Sequence, residues 1–400
     1  MSISAFEPAR EGRFVLLLGA LVAFGPLAID LYLPALPAMA AGLAAPAEAV
    51  QLTITVFLAG FSLGMLFYGP ISDRYGRRRV MLGGIGLFTL ASFACVLATD
   101  VVQLIVARFM QALGGGAASV LARAVVRDVY APTEAIRKLS LMAMVTAIAP
   151  LLAPALGSVL LEYFGWRGTF GALLTWGLLS FWVVWLHLPE TLPAERRGSL
   201  SLAGAFAAYG QLLRDRVAIG LLLAGGMSFA AMFAYITSGP FYFIDRHGFS
   251  PLAFSLLFAA NALGIFIANY ANSRFVRRQG AMTMAGVGSG VGFLGAVLLW
   301  VASGVGNALP AVVIGLFIVV SMTGLLGANC VGLLMARFPQ NAGAAAALFG
   351  AGQFGLGMLA SATISYLHNP SGRSMAGVIL VVSGISLFGW FACRLGDGAR

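Results

Sequence analysis

The chain alternates long apolar stretches with short polar breaks. Each stretch has about 20 residues, the length that a helix needs to cross the hydrocarbon core of a bilayer. A membrane β-barrel would instead show segments of about ten residues with alternating polarity. The pattern predicts twelve membrane-spanning helices, over residues 14–36, 51–71, 80–98, 101–122, 140–162, 168–188, 217–240, 251–272, 282–303, 308–328, 342–367 and 375–394.

The composition also indicates a membrane protein. Of the 400 residues, 60% are hydrophobic and only 10% are charged, whereas about 25% of a soluble domain is charged. The net charge of +10 does not indicate nucleic-acid binding, since that function needs a basic face on a soluble body. The three cysteines lie in apolar stretches, too far apart for a metal motif. We therefore expect an all-α integral membrane protein.

The arginines predict how the chain is oriented. If the N-terminus is cytoplasmic, twenty of the 24 arginine and lysine residues lie on the inward side. The outward side has Arg167, Arg246 and Arg373, and Arg108 lies within a span. Because cytoplasmic loops carry an excess of positive charge, we expect both termini to be cytoplasmic.

The longest polar break separates six spans from six. It predicts an N-terminal six-helix bundle over 1–188, a cytoplasmic linker over 189–216 and a C-terminal six-helix bundle over 217–400. A cluster after span 2 recurs 200 residues later after span 8, with the pairs Arg74 and Arg274, Tyr75 and Phe275, Arg77 and Arg277, and Arg78 and Arg278. This fixed offset favours a duplicated unit over coincidence. Paired halves of this kind are typical of transporters that rock around a midplane site.

Two charged residues lie within predicted spans. Asp30 is roughly 9 Å from the outer end of span 1, and Arg108 is roughly 10 Å from the same side in span 4, at 1.5 Å per residue. At this depth the two side chains can pair or face one aqueous cavity, and such residues commonly belong to ion pathways. The simpler alternatives are an interfacial acid at Asp30 and an arginine that extends to the outer interface at Arg108.

The second half of the chain has few polar groups within its spans. Spans 7–11 contain no charged residue, and their amides lie among Phe, Tyr and Met. Such a wall suits amphipathic small molecules, although ordinary helix packing explains any one of its residues. The candidate substrate-cavity residues are Tyr32, Gln111, Tyr235, Asn261 and Gln353.

No pattern indicates an enzyme. The three histidines fall at predicted membrane edges without a nucleophile or acid beside them, and the glycines at 114–116 lack the Gly-Lys-Ser chemistry of a nucleotide loop. We expect no cofactor other than a coupling proton, because a pump without an ATP site draws on an ion gradient.

Several motifs resemble those of a known transporter family. The run Gly69-Pro-Ile-Ser-Asp-Arg-Tyr-Gly-Arg-Arg-Arg resembles the loop 2–3 signature of the major facilitator superfamily. The run Arg108-Phe-Met-Gln-Ala-Leu-Gly resembles its span 4 motif in drug exporters. Segments 27–37, 149–157, 165–167 and 188–191 resemble the Bcr/CflA drug-resistance branch, and the resemblance continues more weakly to the end. It implies the twelve-helix fold of that superfamily and proton-coupled export of drugs such as bicyclomycin and phenicols.

The resemblance also implies roles for matching residues. Asp30 matches a proton-carrying carboxylate of span 1, and Arg108 matches a span 4 arginine implicated in coupling. The characteristic antiporter motif of span 5 is matched by Pro150, Pro154 and Gly157, with Ser158 where a second glycine is common.

A cytoplasmic latch that stabilises the outward-facing state is a further implication. The latch residues are Gly69, Asp73, Arg74, Gly76, Arg77 and Asp128. Asp73 would cap the N-terminus of a C-half helix, and Arg77 would pair with Asp128. Simple anchoring by positive charge explains the arginines but neither Asp73 nor the glycines. In the second half, Ser273 and Val276 replace Asp and Gly, so we expect no equivalent latch there.

The main hypothesis is a monomeric proton/drug antiporter of the bacterial inner membrane, with small-molecule drugs, protons and the lipid bilayer as its partners and no nucleic acid. The rival hypothesis is a proton-coupled transporter of one metabolite, such as a sugar, an amino acid or a siderophore, on the same fold. A membrane enzyme or a receptor would need a catalytic constellation or a sensory domain, which the sequence does not show.

Overall fold

The computed structural model describes residues 8–193, 195, 197, 202–304, 308–367 and 372–397. Both chain termini, which are predicted to be cytoplasmic, lie outside these ranges. So do residues 194, 196 and 198–201 of the predicted linker. In the described part the chain forms helices and no strands. The helices of the first half are α1 (Pro8–Val22), α2 (Phe24–Asp30), α3 (Leu36–Gly42), α4 (Ala47–Tyr75), α5 (Arg77–Leu97), α6 (Val101–Val129) and α7 (Pro132–His187).

A short helix within the predicted linker joins this half to a second set of long helices. These are α8 (Leu202–Leu212) in the linker, then α9 (Arg216–Pro240), α10 (Pro251–Gln279), α11 (Ala281–Gly304), α12 (Leu309–Arg337), α13 (Ala342–Leu367) and α14 (Arg373–Asp397).

The helices provide the twelve predicted crossings of a multi-pass membrane protein. Eleven helical segments in the described residues are long and apolar enough to span a bilayer. One of them, α7, has 56 residues and a break at Gly165, where φ is 66° and ψ is −177°. At 1.5 Å per residue, α7 is roughly 84 Å long, more than twice the roughly 30 Å of a bilayer core. Its two parts correspond to the predicted spans 140–162 and 168–188.

The first crossing is broken where prolines remove backbone donors. Pro26 cannot donate to the carbonyl of Val22, and that carbonyl instead accepts a hydrogen bond of 3.1 Å from Ser119 Oγ on α6. Pro34 lies in a 3₁₀ turn over Leu33–Ala35, and the chain then continues as α3. The first helical segment therefore extends to Gly42, beyond the predicted end at residue 36.

The arginines gather at one end of the bundle, which we call the basic end. Helices α4, α6, α10, α12 and α14 all finish there with an arginine in the last turn, and α5 begins there. Cations are favoured at helix C-termini because the helix dipole is negative there. The other end of the bundle is called the opposite end below.

The two halves repeat one backbone feature at the same place. Helices α4 and α10 each have 29 residues and end at a glycine with positive φ, 94° at Gly76 and 81° at Gly280. Both glycine amides donate to the carbonyl four residues earlier, at 2.9 Å. The structural offset is therefore 280 − 76 = 204 residues, four more than the predicted offset of 200.

This difference is about one helical turn, and it corrects the predicted correspondence. In the structure Asp73 corresponds to Arg277, and Arg77 corresponds to Ala281. The sequence match was misleading because arginines fill the last turn of α10 and the first turn of α5. In this register the second half has an arginine in place of Asp73 and an alanine in place of Arg77, so the ion pair between these two latch residues has no counterpart there.

Asp215 connects the start of α9 to the end of α12. Its Oδ1 accepts a hydrogen bond of 2.9 Å from the amide of Ala218 and caps α9. Its two oxygens also accept hydrogen bonds from Arg337, from Nε at 3.0 Å and from Nη2 at 2.8 Å. The hydrogen bonds from Arg337 hold the pKa of Asp215 below its ordinary value. A lowered pKa stabilises the fold above the pKa of the unfolded state, and the contribution is lost as the pH falls through the lowered value.

We expect Asp215→Asn to lower the melting temperature near neutral pH by roughly 1–2 °C, because asparagine keeps the helix cap but loses the ion pair. The difference should shrink as the pH falls below about 4, the ordinary pKa of aspartate, and should disappear once the pH is below the lowered pKa of Asp215. Asp100→Asn is the matched control, since Asp100 caps α6 at Val102 and Gln103 and has no ion pair with a described residue. Thermal unfolding over a pH series measures this, and a difference that persists in acid would contradict the prediction.

Candidate functional site

A cavity of about 360 Å³ lies between the two halves of the bundle. Its volume is within the range of small-molecule sites. The first half contributes the polar residues Asp30, Ser119, Arg123 and Thr146. The second half contributes uncharged polar residues, which are Tyr235, Asn261 and Gln353.

Phenylalanines form much of the remaining wall. Phe354 on α13 packs against Phe61 on α4 with ring centroids 4.6 Å apart, and against Phe229 on α9 at 5.2 Å. Phe233 lies 5.0 Å from Phe229. Because these rings come from both halves, an apolar ligand in the cavity would contact both bundles at once.

Asp30 lies at the end of α2, on the cavity wall, and is only 5% exposed. Its carboxyl group makes no hydrogen bond or ion pair with any residue that the structure describes. An ionised carboxylate without a partner is costly inside a membrane protein. The site therefore contains an acid whose charge is not neutralised by a cation of the described part of the chain.

Gly157 fixes the part of the chain that carries Asp30. A Cβ atom at Gly157 would overlap the carbonyl oxygen of Leu31, the residue after Asp30. That carbonyl is free to approach α7 because the amide of Ala35 donates to Tyr32 instead. Only glycine allows α7 to lie this close to the backbone at Asp30.

The cavity is closed at the opposite end. Ser158 Oγ on α7 and Ser255 Oγ on α10 share a hydrogen bond of 2.7 Å, and Ser255 also donates to the carbonyl of Pro154 at 2.9 Å. Thr55 on α4 and Ser361 on α13 share another bond of 2.7 Å. Pro150, nearer the basic end, lines the cavity instead. The predicted span 5 motif thus separates the closed end from the cavity.

Arg108 is fully buried, but it does not line the cavity. Its guanidinium carbon lies 4.2 Å from the ring centroid of Tyr32, 4.3 Å from that of Phe57 and 5.8 Å from that of Phe170. Nη1 donates to Oε1 of Gln111, while Nε and Nη2 have no hydrogen-bond acceptor among the described residues. Contacts with aromatic faces offset part of the cost of burying the charge.

The expected pairing of Asp30 with Arg108 is absent from this conformation. Asp30 and Tyr32 are two residues apart, so their side chains point roughly 200° apart around a helix. Asp30 faces the cavity, whereas Tyr32 faces Arg108. The expectation that both charges share one cavity is corrected accordingly.

The predicted cavity residues divide in the same way. Tyr235, Asn261 and Gln353 line the cavity. Tyr32 and Gln111 instead surround Arg108, and Gln111 Nε2 donates to Ser92 Oγ at 2.7 Å. The prediction that these two residues line the cavity is therefore wrong for this conformation.

Comparison with known proteins identifies the family. The model of the Major Facilitator Superfamily matches residues 16–362. The chain belongs to the Major Facilitator Superfamily. This is a superfamily of transporters rather than enzymes, as the sequence predicts.

Relatives over most of the chain include proteins named for drug resistance. An uncharacterised MFS-type transporter of Bacillus subtilis, YdgK, is 34% identical and covers 98% of this chain and 99% of its own. A bicyclomycin resistance protein homolog of Haemophilus influenzae is 29% identical over 94% of this chain and 95% of its own. A chloramphenicol resistance protein of Pseudomonas aeruginosa is 32% identical over 71% of this chain and 67% of its own. These relatives agree with the predicted Bcr/CflA branch.

Solved transporters of the superfamily share the fold. A bacterial homolog of the human lysosomal transporter Spinster, in an inward-facing and unoccupied conformation, has a TM-score of 0.74 at 16% identity and covers 99% of both chains. A D-xylose-proton symporter has a TM-score of 0.71 at 18% identity and covers 94% of this chain and 97% of its own. They show that the chain has the fold of these transporters.

The superfamily signature after α4 forms an ion-pair cluster at the basic end. Arg77 lies 2.6 Å from Asp73 and 2.9 Å from Asp128, between the respective nitrogen and oxygen atoms. Arg77 also donates to Ser72, whose hydroxyl donates to the carbonyl of Gly69 at 2.7 Å. Arg74 is exposed beside the ring of Tyr75. In the described chain, Asp73 does not cap a C-half helix, so this contact of the predicted latch is absent from this conformation.

Glu190 in the linker is a functional candidate that the sequence analysis missed. Its oxygens accept hydrogen bonds from the amides of Arg77 at 2.8 Å and Arg78 at 3.3 Å, which caps α5. A carboxylate is favoured at this position by the helix dipole. Gly76 is required here, because its φ is positive and a Cβ would overlap the Glu190 carboxylate. No local signal links residues 113 positions apart.

Arg123 is the second residue that the sequence analysis missed. The predicted span 4 ended at residue 122, so Arg123 was counted as a loop arginine. Helix α6 continues to Val129 and places Arg123 on the cavity wall. A predicted span 4 that continued past residue 122 would have placed Arg123 inside a helix rather than in a loop.

Proposed function

We propose that this chain is a proton-coupled antiporter that exports amphipathic small-molecule drugs. The observation that carries the proposal is the carboxyl group of Asp30, which lies without an ion-pair partner among the described residues in an apolar cavity shared by both halves. The resistance names of two relatives support drugs as the cargo.

The coupling follows from the cost of burying a charge. A state that closes around the carboxyl group has a lower free energy when Asp30 is protonated than when it is charged, because burying an unpaired charge is costly. A drug that enters from the basic end occupies the same cavity and favours release of the proton. Protonation from the opposite side then favours return of the empty protein to the inward-open state. With one cavity carboxylate in the described chain, we propose one proton for each cycle.

Arg108 acts in this scheme without touching Asp30. Its guanidinium holds the ring of Tyr32 at 4.2 Å, and Tyr32 follows Asp30 by two residues. A shift of α2 during the cycle would move Asp30 and would also change the contact between Tyr32 and Arg108. We propose that Arg108 positions α2 and does not serve as the counter-ion of Asp30 in this conformation.

We further propose that the protein is a monomer in the bacterial inner membrane with its basic end in the cytoplasm. An excess of positive charge on cytoplasmic loops supports this orientation. The conformation described here, closed at the opposite end, would then be the state that accepts drugs from the cytoplasm.

The test uses the purified protein in liposomes that contain a pH-sensitive dye, with an imposed proton gradient. We expect bicyclomycin and a phenicol, added separately, each to trigger proton movement that protein-free liposomes do not show. Proton movement with one metabolite and with none of the drugs would replace drug export by metabolite transport. No proton movement during measurable drug transport would exclude proton coupling.

A further inference from the structure

Arg123 is the second charged residue of the cavity, and the proposed proton coupling makes no use of it. It is half-buried on α6, one turn beyond Ser119. Placing a guanidinium on the wall of a largely apolar cavity costs free energy. No carboxylate within the described ranges forms an ion pair with Arg123 to offset this cost. A substrate group that binds Arg123 would offset it.

The two cavity charges lie at different levels. The hydrogen bond from Ser119 to the Val22 carbonyl sets α6 level with the end of α1. Asp30 is eight residues from Val22 toward the opposite end, and Arg123 is four residues from Ser119 toward the basic end. At 1.5 Å per residue, the Cα atoms of Asp30 and Arg123 are separated by roughly 18 Å along the bundle. The cavity wall is therefore acidic toward the opposite end and basic toward the basic end.

Arg127 adds a second positive charge on the side of the basic end. It lies on α6 one turn beyond Arg123, and it is exposed. Its Nη1 would be 3.9 Å from a Cβ built at Gly343, so it faces the start of α13 across the gap between the halves. Such an arrangement attracts anions from solution.

The cavity wall contains two buried polar atoms whose hydrogen-bonding capacity is not satisfied. Tyr235 and Asn261 are 1% and 3% exposed. The two side chains face each other, yet Tyr235 Oη and Asn261 Nδ2 make no hydrogen bond of normal geometry with a described residue. Unsatisfied buried polar atoms cost free energy, which a polar ligand in the cavity would recover.

We infer that Arg123 binds an acidic group of the substrate, so that the preferred cargo is an amphipathic anion or zwitterion rather than a cation. This inference rests on the proposed function and specifies its substrate class. The acidic group forms a charge-assisted hydrogen bond with the guanidinium of Arg123. The apolar body lies against Phe229, Phe233 and Phe354, where both halves contact it.

The test compares two ligands that differ in one acidic group, chloramphenicol and its succinate ester. Binding to the detergent-solubilised full chain is measured by titration calorimetry, which requires no proton coupling. We expect Arg123→Gln to weaken binding of the ester about tenfold or more, as expected for loss of a hydrogen bond to a charged group. Binding of neutral chloramphenicol should change less than about twofold. Added salt should weaken binding of the ester alone, through screening.

Two further variants separate this role from a change in folding. Arg214→Gln removes the same charge from an exposed arginine of the linker, outside the cavity, and should leave the ratio of the two affinities unchanged. Arg123→Lys keeps the charge and should retain a large part of the preference for the ester. Equal losses for both ligands in Arg123→Gln, or no loss for either, would overturn the inference.

The wild-type result distinguishes this inference from the proposed function. A protein that binds neutral chloramphenicol but not the ester overturns the inference and leaves drug export intact. A protein that binds neither ligand counts against drug export and against the inference with it.

Discussion

Asp30→Asn is expected to reduce drug-triggered proton movement to the level of protein-free liposomes. Asparagine has nearly the size and shape of aspartic acid, but it cannot bind and release a proton in this pH range. Because Asp30 has no hydrogen-bond or ion-pair partner among the described residues, the substitution breaks no contact. The protein should therefore fold, and its melting temperature should be unchanged or higher, since a buried charge is removed.

Asp245→Asn is the matched control for this experiment. Asp245 is an exposed acid in the π-helical turn Phe241–Arg246 at the opposite end, outside the cavity. The same chemical change there should leave drug-triggered proton movement at the wild-type level. Drug binding, measured separately, should survive in both variants. Full proton movement in Asp30→Asn would show that another group carries the proton and would end the proposed mechanism.

The fold was largely predictable because the membrane restricts what a sequence can do. Spans of about 20 apolar residues must be helices, and the twelve predicted spans all correspond to helical segments of the structure. The boundaries were less predictable. The first helical segment continues through a 3₁₀ turn to Gly42, and α6 continues to Val129. The last two turns of α6 contain Arg123, so a boundary error hid a cavity residue.

The position of each charge along its helix was predictable, but its direction around the helix was not. Asp30 and Arg108 lie at similar depths, which suggested that they meet. Tyr32, on the other face of the same segment, contacts Arg108 instead. A helical wheel of residues 24–32 already separates Asp30 from Tyr32. The choice of the face that turns toward α6 depends on packing among three helices, which one sequence does not encode in any local pattern.

Prediction of the latch from the sequence was limited in a similar way. The residues of loop 2–3 could be identified from their motif, because Gly76 and the acidic and basic residues around it recur in a recognisable order. The capping of α5 by Glu190 could not, since the partner lies in a linker 113 residues away. The repeat offset was misjudged by one turn, because clustered arginines match one another in more than one register. Backbone conformation at Gly76 and Gly280 resolves the register.

Gly157→Ala is expected to abolish proton-coupled efflux and to destabilise the protein by about 1–3 kcal/mol, the usual cost of overpacking. The added methyl group would overlap the carbonyl oxygen of Leu31, which is a backbone atom and cannot rotate away. Either α7 or the segment that contains Asp30 must move. A displacement of about 1 Å at a functional group is enough to reduce activity severely.

Gly171→Ala on the same helix is the matched control. Nothing lies within 4 Å of a Cβ built at Gly171, so alanine there should be neutral or slightly stabilising. Thermal unfolding and proton movement in liposomes, measured for both variants, distinguish local crowding from a general effect of alanine in α7. If Gly157→Ala transported as well as the wild type, the close approach of α7 to Leu31 would not be needed to hold Asp30 in place. Loss in Gly157→Ala alone would instead place the proton-binding segment under the control of α7. That helix also carries the Ser158 contact that closes the opposite end, so one helix would then link closure of the cavity to the position of its carboxylate.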